Sequence, residues 1–300
     1  MSNNVKTTSA FIAIVGKPNV GKSTILNKII GQKVAIVSDK PQTTRTKISG
    51  IVTQNEMQLV FIDTPGLHKP KNRLGEYMVK AVGDGMEDVD CCLLVVEADK
   101  KITPAEIDLI EKFKQRKLKA VLAINKIDLL EDKEELFEII KSYTELFDFS
   151  AVVPISAKFN EGTNDLFSEL KKFAVPSVHY FDDNSFTDQP ERVIAAEMIR
   201  EKLLRSLEKE IPHGIAVDIE RFAERQNADI LDIDAVIFCE KQSHKGIVIG
   251  KGGAMLKKIG SSARHDLENF FEIKVNLKLW VKVKDNWRTQ NTVIHSLGLD

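Results

Sequence analysis

Gly16-Lys17-Pro18-Asn19-Val20-Gly21-Lys22-Ser23, followed by Thr24, fits the pattern G-x-x-x-x-G-K-[ST], a spacing suited to gripping a polyphosphate. Two glycines let the backbone approach an anion closely, and the N–H groups and positive end of a following helix face it. Lys22 would reach the β- and γ-phosphates, and the Ser23 hydroxyl would ligate Mg²⁺. Asp63-Thr64-Pro65-Gly66 adds a carboxylate for the magnesium shell and the Gly66 N–H for the γ-phosphate. Asn125-Lys126-Ile127-Asp128 names the base. The Asp128 carboxylate can accept two hydrogen bonds, from guanine N1–H and the 2-amino group. Adenine offers neither. Ser156-Ala157-Lys158 would close the pocket with backbone N–H groups. The expected ligands are GTP or GDP with Mg²⁺.

These motifs need rigid supports, and the sequence supplies them. Short apolar, β-rich runs occupy 11–16, 57–63, 91–99, 119–128 and 151–156, and each motif stands at the end of one. Helical stretches lie between most of them. In TPAEIDLIEKFKQR, Thr103 can cap the helix, Pro104 suits its first position and Glu106 completes a capping box. In EDKEELFEIIKSYTELF, Leu136, Ile139, Ile140 and Tyr143 share one face, and NDLFSELKKF is a third helix. Strands alternating with helices predict an α/β domain over 1–173, a mostly parallel six-stranded sheet covered on both faces. ISGIVTQ (48–54) followed closely by MQLVFID reads as a hairpin, making one edge strand antiparallel.

Residues 174–190, with two prolines, three Asp and no helical period, read as a linker. A second domain over 191–300 follows in the order α-β-β-α-α-β, a small α+β unit. Between its second and third helices stands Val248-Ile249-Gly250-Lys251-Gly252-Gly253. The whole chain is balanced, 43 Lys+Arg against 44 Asp+Glu, which rules out a uniformly basic nucleic-acid binder. The charge is local instead. From Lys241 to His265 there are six Lys/Arg and no acid, although 181–300 as a whole holds 18 basic and 20 acidic residues.

Other classes fall away. Three cysteines cannot make a disulfide framework; Cys91, Cys92 and Cys239 lie in apolar runs and read as buried reduced thiols. No C-x-x-C suggests zinc, and His244 and His265 come without a ligand pattern. No apolar run nears the ~18 residues of a membrane span, Phe11–Val15 is too short for a secretory signal, and a cytoplasmic protein is expected.

The nucleotide motifs in this order resemble those of the translation-factor-related GTPases. Gln42-Thr43-Thr44-Arg45-Thr46 looks like their first switch, which implies that Thr43 or Thr44 completes magnesium binding when GTP is present; the sequence does not choose. Leu67 follows D-T-P-G where Ras-like relatives carry Gln. That resembles the subgroup with a hydrophobic residue there and implies slow turnover unless stimulated. Related GTPases with Asn at the Asn19 position hold a potassium ion on its side-chain oxygen and on switch carbonyls. The likeness therefore implies K⁺ at Asn19, with Arg45 as the alternative source of positive charge.

The second domain resembles a type II KH domain, whose glycine loop clamps the backbone of four single-stranded nucleotides. Lys245, Ile249, Gly250, Lys251, Gly252, Gly253, Lys257 and Lys258 would then touch RNA. Ile247, Val248, Ile249 and Ile259 would line an apolar groove for the bases. A GTPase of this switch type followed by one such domain, in 300 residues, resembles the Era family. N-V-G-K-S-T (19–24), Q-T-T-R (42–45), D-T-P-G-L-H (63–68) and L-W-V-K-V (279–283) fit it as well. The resemblance implies a monomer that binds the 3′ end region of 16S ribosomal RNA and assists assembly of the 30S subunit, with a link to cell-cycle control. It also implies peripheral association with the inner membrane, although the sequence holds no lipidation signal and no strong amphipathic anchor. The competing class is a membrane-associated signalling GTPase with a protein-binding C-terminal domain; six clustered cations around G-K-G-G favour RNA.

Overall fold

The structure, a computed structural model, describes residues 6–40, 43–66, 72–99 and 101–299. Its elements run β1 (Thr8–Val15), α1 (Lys22–Ile30), β2 (Ile48–Gln54), β3 (Met57–Asp63), α2 (Arg73–Asp84), β4 (Cys91–Glu97), α3 (Pro104–Arg116), β5 (Ala120–Asn125), α4 (Lys133–Thr144), β6 (Ala151–Ile155), α5 (Thr163–Lys171) and β7 (Val175–Pro176). Then come α6 (Glu191–Ser206), β8 (Ala216–Glu224), β9 (Ile230–Cys239), α7 (Gln242–Ile249), α8 (Ala254–Phe271), β10 (Lys274–Val283) and α9 (Asn291–Ser296). The chain divides into two compact units: the second takes Ile36–Thr43, the start of α2 as far as Tyr77 and the chain from Gln189 onward, and the first takes the rest.

In the first unit the sheet order is β2-β3-β1-β4-β5-β6. All neighbours are parallel except the β2–β3 hairpin, as the sequence predicts. Every residue of β5 is buried, and β4 is buried up to Glu97; continuous apolar runs are what a sheet covered on both faces requires. The strand order reverses at β1, which lies between β3 and β4. In open α/β sheets such a switch point opens a crevice at the carboxyl ends of the strands. The loops after β1, β3, β5 and β6 carry the four nucleotide motifs to that edge. The helices follow their caps: α3 has the full Thr103–Glu106 capping box with Pro104 in its first turn, and Asp132 accepts the Glu134 N–H at the start of α4. At the start of α2, Asn72 caps the helix, its Oδ1 accepting the Gly75 N–H at 2.9 Å.

The sheet gains a short seventh strand beyond the six expected. Strand β7 pairs antiparallel with Thr8 and Ser9 of β1. The neighbouring β4 reaches β1 only from Ile12 onward, so the start of β1 has backbone groups to share. The stretch from 174 to 188, expected as a linker, is strapped along the first unit. Thr7 and Ser9 hydroxyls donate to the carbonyls of Ser177 and Val178 at 2.6 and 2.7 Å. The fully buried Gln58 amide accepts from Tyr180 and Phe181 N–H and donates to Phe181 O. Thr187 Oγ1 donates to Ser49 O at 2.7 Å. Proline and aspartate signal the absence of helix, but not that the start of β1 and side chains of β3 and β2 will recruit the chain.

The second unit has a three-stranded sheet in the order β10-β9-β8, with β8–β9 antiparallel and β9–β10 parallel. The helices α6 and α8 contribute Ile199, Leu203, Ile259, Ala263 and Leu267 to a core shared with Ile233, Ala235 and Ile237 of β9. Trp287, fully buried, donates from its indole to Gly214 O at 2.9 Å, fixing the tail that ends in α9. Ile36–Thr43 clusters with this unit. Glu201 accepts the Val37 N–H at 3.0 Å, and Arg205 and Arg200 donate to the carbonyls of Val37 and Thr43. No helix among the described residues is long and apolar enough to cross a membrane.

The three cysteines are free and buried. Burial pushes the Cys91 and Cys92 thiols up to about 12 and Cys239 to about 11. The reactive thiolate is therefore suppressed at neutral pH. The native protein should leave all three thiols unreacted toward a disulfide reagent at about pH 8, while guanidinium-unfolded protein titrates fully. Rapid reaction of a native thiol would show that its strand opens.

Candidate functional site

Strand β1 ends as the chain enters the loop 16–21, and α1 begins at Lys22, so the helix N-terminus faces the loop's concavity. Gly21 has φ of +105°, and a Cβ there would sit 2.2 Å from Asn125 Nδ2; no other residue fits. The reason is Asn125. Its Nδ2 donates to Val20 O at 2.7 Å and its Oδ1 accepts the Ala157 N–H at 3.0 Å. One buried amide thus ties the phosphate loop to the two loops that would hold the base.

Lys22 is 5% exposed. Its ammonium donates to the carbonyls of Gly16 and Lys17 at 3.1 and 2.8 Å. Burial lowers its pKa to about 8, against the opposing pull of Asp63. Asp63 lies wholly buried at the end of β3. Burial raises its pKa, while Lys22 and the hydroxyls of Ser23 and Thr44 hold it down. Ser23 Oγ donates to Asp63 Oδ2 at 2.7 Å, and Thr44 Oγ1 lies 3.1 Å from Ser23 Oγ and 3.2 Å from the same carboxylate oxygen. Asp63 Oδ1 is buried with no hydrogen-bond partner. Two hydroxyls and a carboxylate with one buried oxygen still unsatisfied form a hard oxygen donor set that fits Mg²⁺.

Of the two threonines left open by the sequence, Thr44 is at this cluster. Thr43 Oγ1 instead donates to Lys40 O at 2.6 Å. Arg45 is 3% exposed. Asn19 is exposed and has φ of +66°, a left-handed conformation Asn tolerates better than most residues. Thr64 Oγ1 donates to Ile14 O at 2.8 Å, pinning the D-T-P-G turn to β1. Gln42 and Leu67, with His68 of the D-T-P-G-L-H run, lie outside the described residues.

On the base side, the Asp128 carboxylate is exposed at the site, with Ser156 Oγ donating to its Oδ1 at 2.6 Å. Lys126 has φ of +67° and pairs with Glu97. Glu97 was not singled out in the sequence; it ends β4 and steers Lys126. The Ala157 N–H, expected to close the pocket, is committed to Asn125. Lys158 lies over the Phe159 ring, 4.7 Å from its centroid.

In the second unit Gly250, Gly252 and Gly253 all have positive φ between α7 and α8. A Cβ on Gly250 would meet Met255 Cβ at 2.7 Å, whereas one on Gly252 would meet nothing within 4 Å. The expected apolar groove needs correction. Val248 and Ile259 are fully buried in the core because each points at the sheet. Ile247, 49% exposed, and the half-buried Ile249 are the accessible ones.

Comparison with known proteins decides the family. Residues 11–126 match the model of the 50S ribosome-binding GTPase family, and residues 210–288 match the KH domain. The chain is 51% identical to GTPase Era of Clostridioides difficile (strain 630) over 290 residues, 97% of this chain and 98% of that protein. It is 49% identical to GTPase Era of Ruminiclostridium cellulolyticum, covering 97% of each. The chain belongs to the Era family of GTPases. As an Era-family member it is a GTPase, with the P-loop domain and KH domain that family carries. The fold agrees across 98% of the chain and 99% of a solved Era in complex with MgGDPNP and nucleotides 1506–1542 of 16S ribosomal RNA, with a TM-score of 0.94 and 34% identity. A single-residue variant of Aquifex aeolicus Era bound to GDP·AlF4⁻ gives the same score, identity and coverage.

Proposed function

We propose that this Era-family GTPase binds the 3′ end region of 16S ribosomal RNA through Gly250–Gly253 and acts as a GTP-timed factor in assembly of the 30S subunit. The observation that carries the RNA reading is where the charges go unpaired. In the second unit Arg200, Lys202, Arg205, Arg221, Arg225, Arg264, Lys282 and Arg288 all pair with carboxylates. Arg192, Lys209, Lys241, Lys274, Lys278 and Lys284 show no ion pair among the described residues, and neither do Lys245, Lys251, Lys257 and Lys258; what sets these last four apart is that they gather around the glycine loop. Free cations beside a loop open to close approach suit a phosphate backbone. A related Era has been solved with such an RNA, and that supports the choice of target. Ile249 and the exposed Ile247 offer the bases apolar contact. GTP and ribosomal RNA meet in the cytoplasm, where we assign its action; peripheral membrane association rests on family resemblance.

In the nucleotide site we assign magnesium to Ser23 and Thr44, with Asp63 in its shell. Lys22 and the Gly66 N–H meet the phosphates, and Asp128 reads guanine. When bound, Mg²⁺ would neutralise charge between the β- and γ-phosphates. Asn19 carries the potassium reading. Asn19 is an exposed residue of a loop that faces the phosphates, and a monovalent ion suits neutral oxygen ligands.

Three measurements test this assignment. Thr44→Ala should lower magnesium-dependent GTP turnover roughly ten- to hundredfold, the loss expected of one strong polar contact, while Thr43→Ala stays near wild type; the reverse would move the ligand to Thr43. Gly252→Asp should abolish the gel shift of a single-stranded fragment from the 16S 3′ end and leave GTP affinity intact. There is space for the side chain, and Asp tolerates a left-handed backbone better than most residues, so the defect would lie chiefly in repulsion of phosphate; undiminished RNA binding would sink the assignment of RNA to this loop. With RNA present, turnover should run several-fold faster in KCl than in NaCl at equal ionic strength. Asn19→Gly, which keeps the positive φ, should remove the difference, and equal rates in both salts would eliminate the potassium site.

A further inference from the structure

Glu106 stands at the third position of α3 and is 1% exposed. Its capping duty uses one oxygen only: Oε2 accepts both the Thr103 N–H at 2.8 Å and the Thr103 hydroxyl at 2.7 Å. The second oxygen, Oε1, is buried without a hydrogen bond. What it faces is Lys17 of the phosphate loop, whose ammonium lies 3.4 Å away. A helix cap by itself needs neither a wholly buried carboxylate nor a cationic neighbour, and burying an uncompensated carboxylate is costly. Lys17 has a second attachment to the site. Its backbone carbonyl accepts the Lys22 ammonium at 2.8 Å.

We propose that Glu106 is a positioning residue for GTP hydrolysis, acting through the Lys17 side chain to hold the loop carbonyl that aims the Lys22 ammonium. The same carboxylate is faced by the hydroxyl of the buried Tyr143 of α4, which stays protonated through burial and the nearby negative charge. The line of support therefore runs from Tyr143 of α4 through Glu106 to Lys17 of the phosphate loop. The role rests on the GTPase activity and adds to it a residue outside the nucleotide motifs.

The capping box supplies the control. Gln serves as well as Glu in that motif, so Glu106→Gln keeps the cap and removes the charge that Lys17 needs. Glu106→Gln and Lys17→Met should each lower kcat for GTP about five- to twentyfold with a smaller change in KM, since sub-ångström misplacement of a catalytic group costs rate first. The double variant should be no slower than either single one, because both break the same link. Thr103→Ala, which weakens the cap and spares the ion pair, should lower the melting temperature and leave kcat and KM at wild-type values. Wild-type kcat in Glu106→Gln, additive losses in the double variant, or an equal kcat loss in Thr103→Ala would each overturn the proposal. Lys17→Met reads the link independently if Glu106→Gln is poorly folded. Wild type is assayed alongside: absence of any turnover there would strike the GTPase reading itself, whereas intact turnover in the variants strikes only the positioning role.

Discussion

The nucleotide site hangs on the side-chain amide of Asn125. It sits at the end of β5, 3% exposed, and spends its donor on Val20 O and its acceptor on Ala157 N–H. Three loops that leave the sheet at three different strands are joined by those two bonds. Aspartate would lose the donor, and a longer glutamine would displace the loops it joins. The amide also dictates its neighbour: Gly21 passes so close to Nδ2 that a side chain there has no room. The sheet sets the strand ends side by side, and this amide sets the loops to a common register.

Around that fixed frame the site concentrates groups that would be unstable alone. Lys22 and Asp63 are both buried, each shifted toward its neutral form by loss of water and pulled back by the other's charge. Hydroxyls from Ser23 and Thr44 and carbonyls from Gly16 and Lys17 complete their coordination. Removing one partner from such a set leaves a buried group uncompensated, which costs more than the lost bond is worth. The arrangement is preorganised for charge that a nucleotide would bring, and it extends outward through Lys17 to Glu106 and, on the base side, through Lys126 to Glu97.

Local chemistry was legible in the sequence; tertiary neighbours were not. Met57–Asp63 and Ile48–Gln54 appear at the residues their apolar runs mark out. Thr103, Pro104 and Glu106 form the capping box their spacing calls for. The choice between Thr43 and Thr44 was closed to the sequence, because adjacent residues of one type differ only in which unit their side chains join. Glu106 was legible as a cap and illegible as the neighbour of Lys17, since nothing in the sequence separation between 17 and 106 records that the two meet. Val248 and Ile259 were misassigned for a related reason: an apolar residue beside a glycine loop serves either a ligand or the core, and only the orientation of α7 and α8 decides it. Residues 174–188 carry loop composition, yet Gln58 and the hydroxyls of Thr7, Ser9 and Thr187 bind them down.

Glycine loops recur in both units, and in each the glycines divide their labour. At Gly21 and Gly250 a side chain would collide with the protein itself, with Asn125 in one case and Met255 in the other; those glycines serve the fold. At Gly252 a side chain would meet nothing within 4 Å, and what calls for glycine there is the backbone itself, at φ of +59° in the left-handed region. A backbone at φ of +59° with open space on its outer side costs conformational entropy on folding and returns no packing. Under the proposed RNA reading, that open outer side is where phosphates would approach the backbone, at a place where a side chain would hold them off. Four lysines without ion pairs among the described residues, Lys245, Lys251, Lys257 and Lys258, lie around that same loop, and on the proposed reading an electrostatic attraction centred on an unobstructed backbone is what would distinguish a clamp for a polyanion from a turn that merely joins two helices.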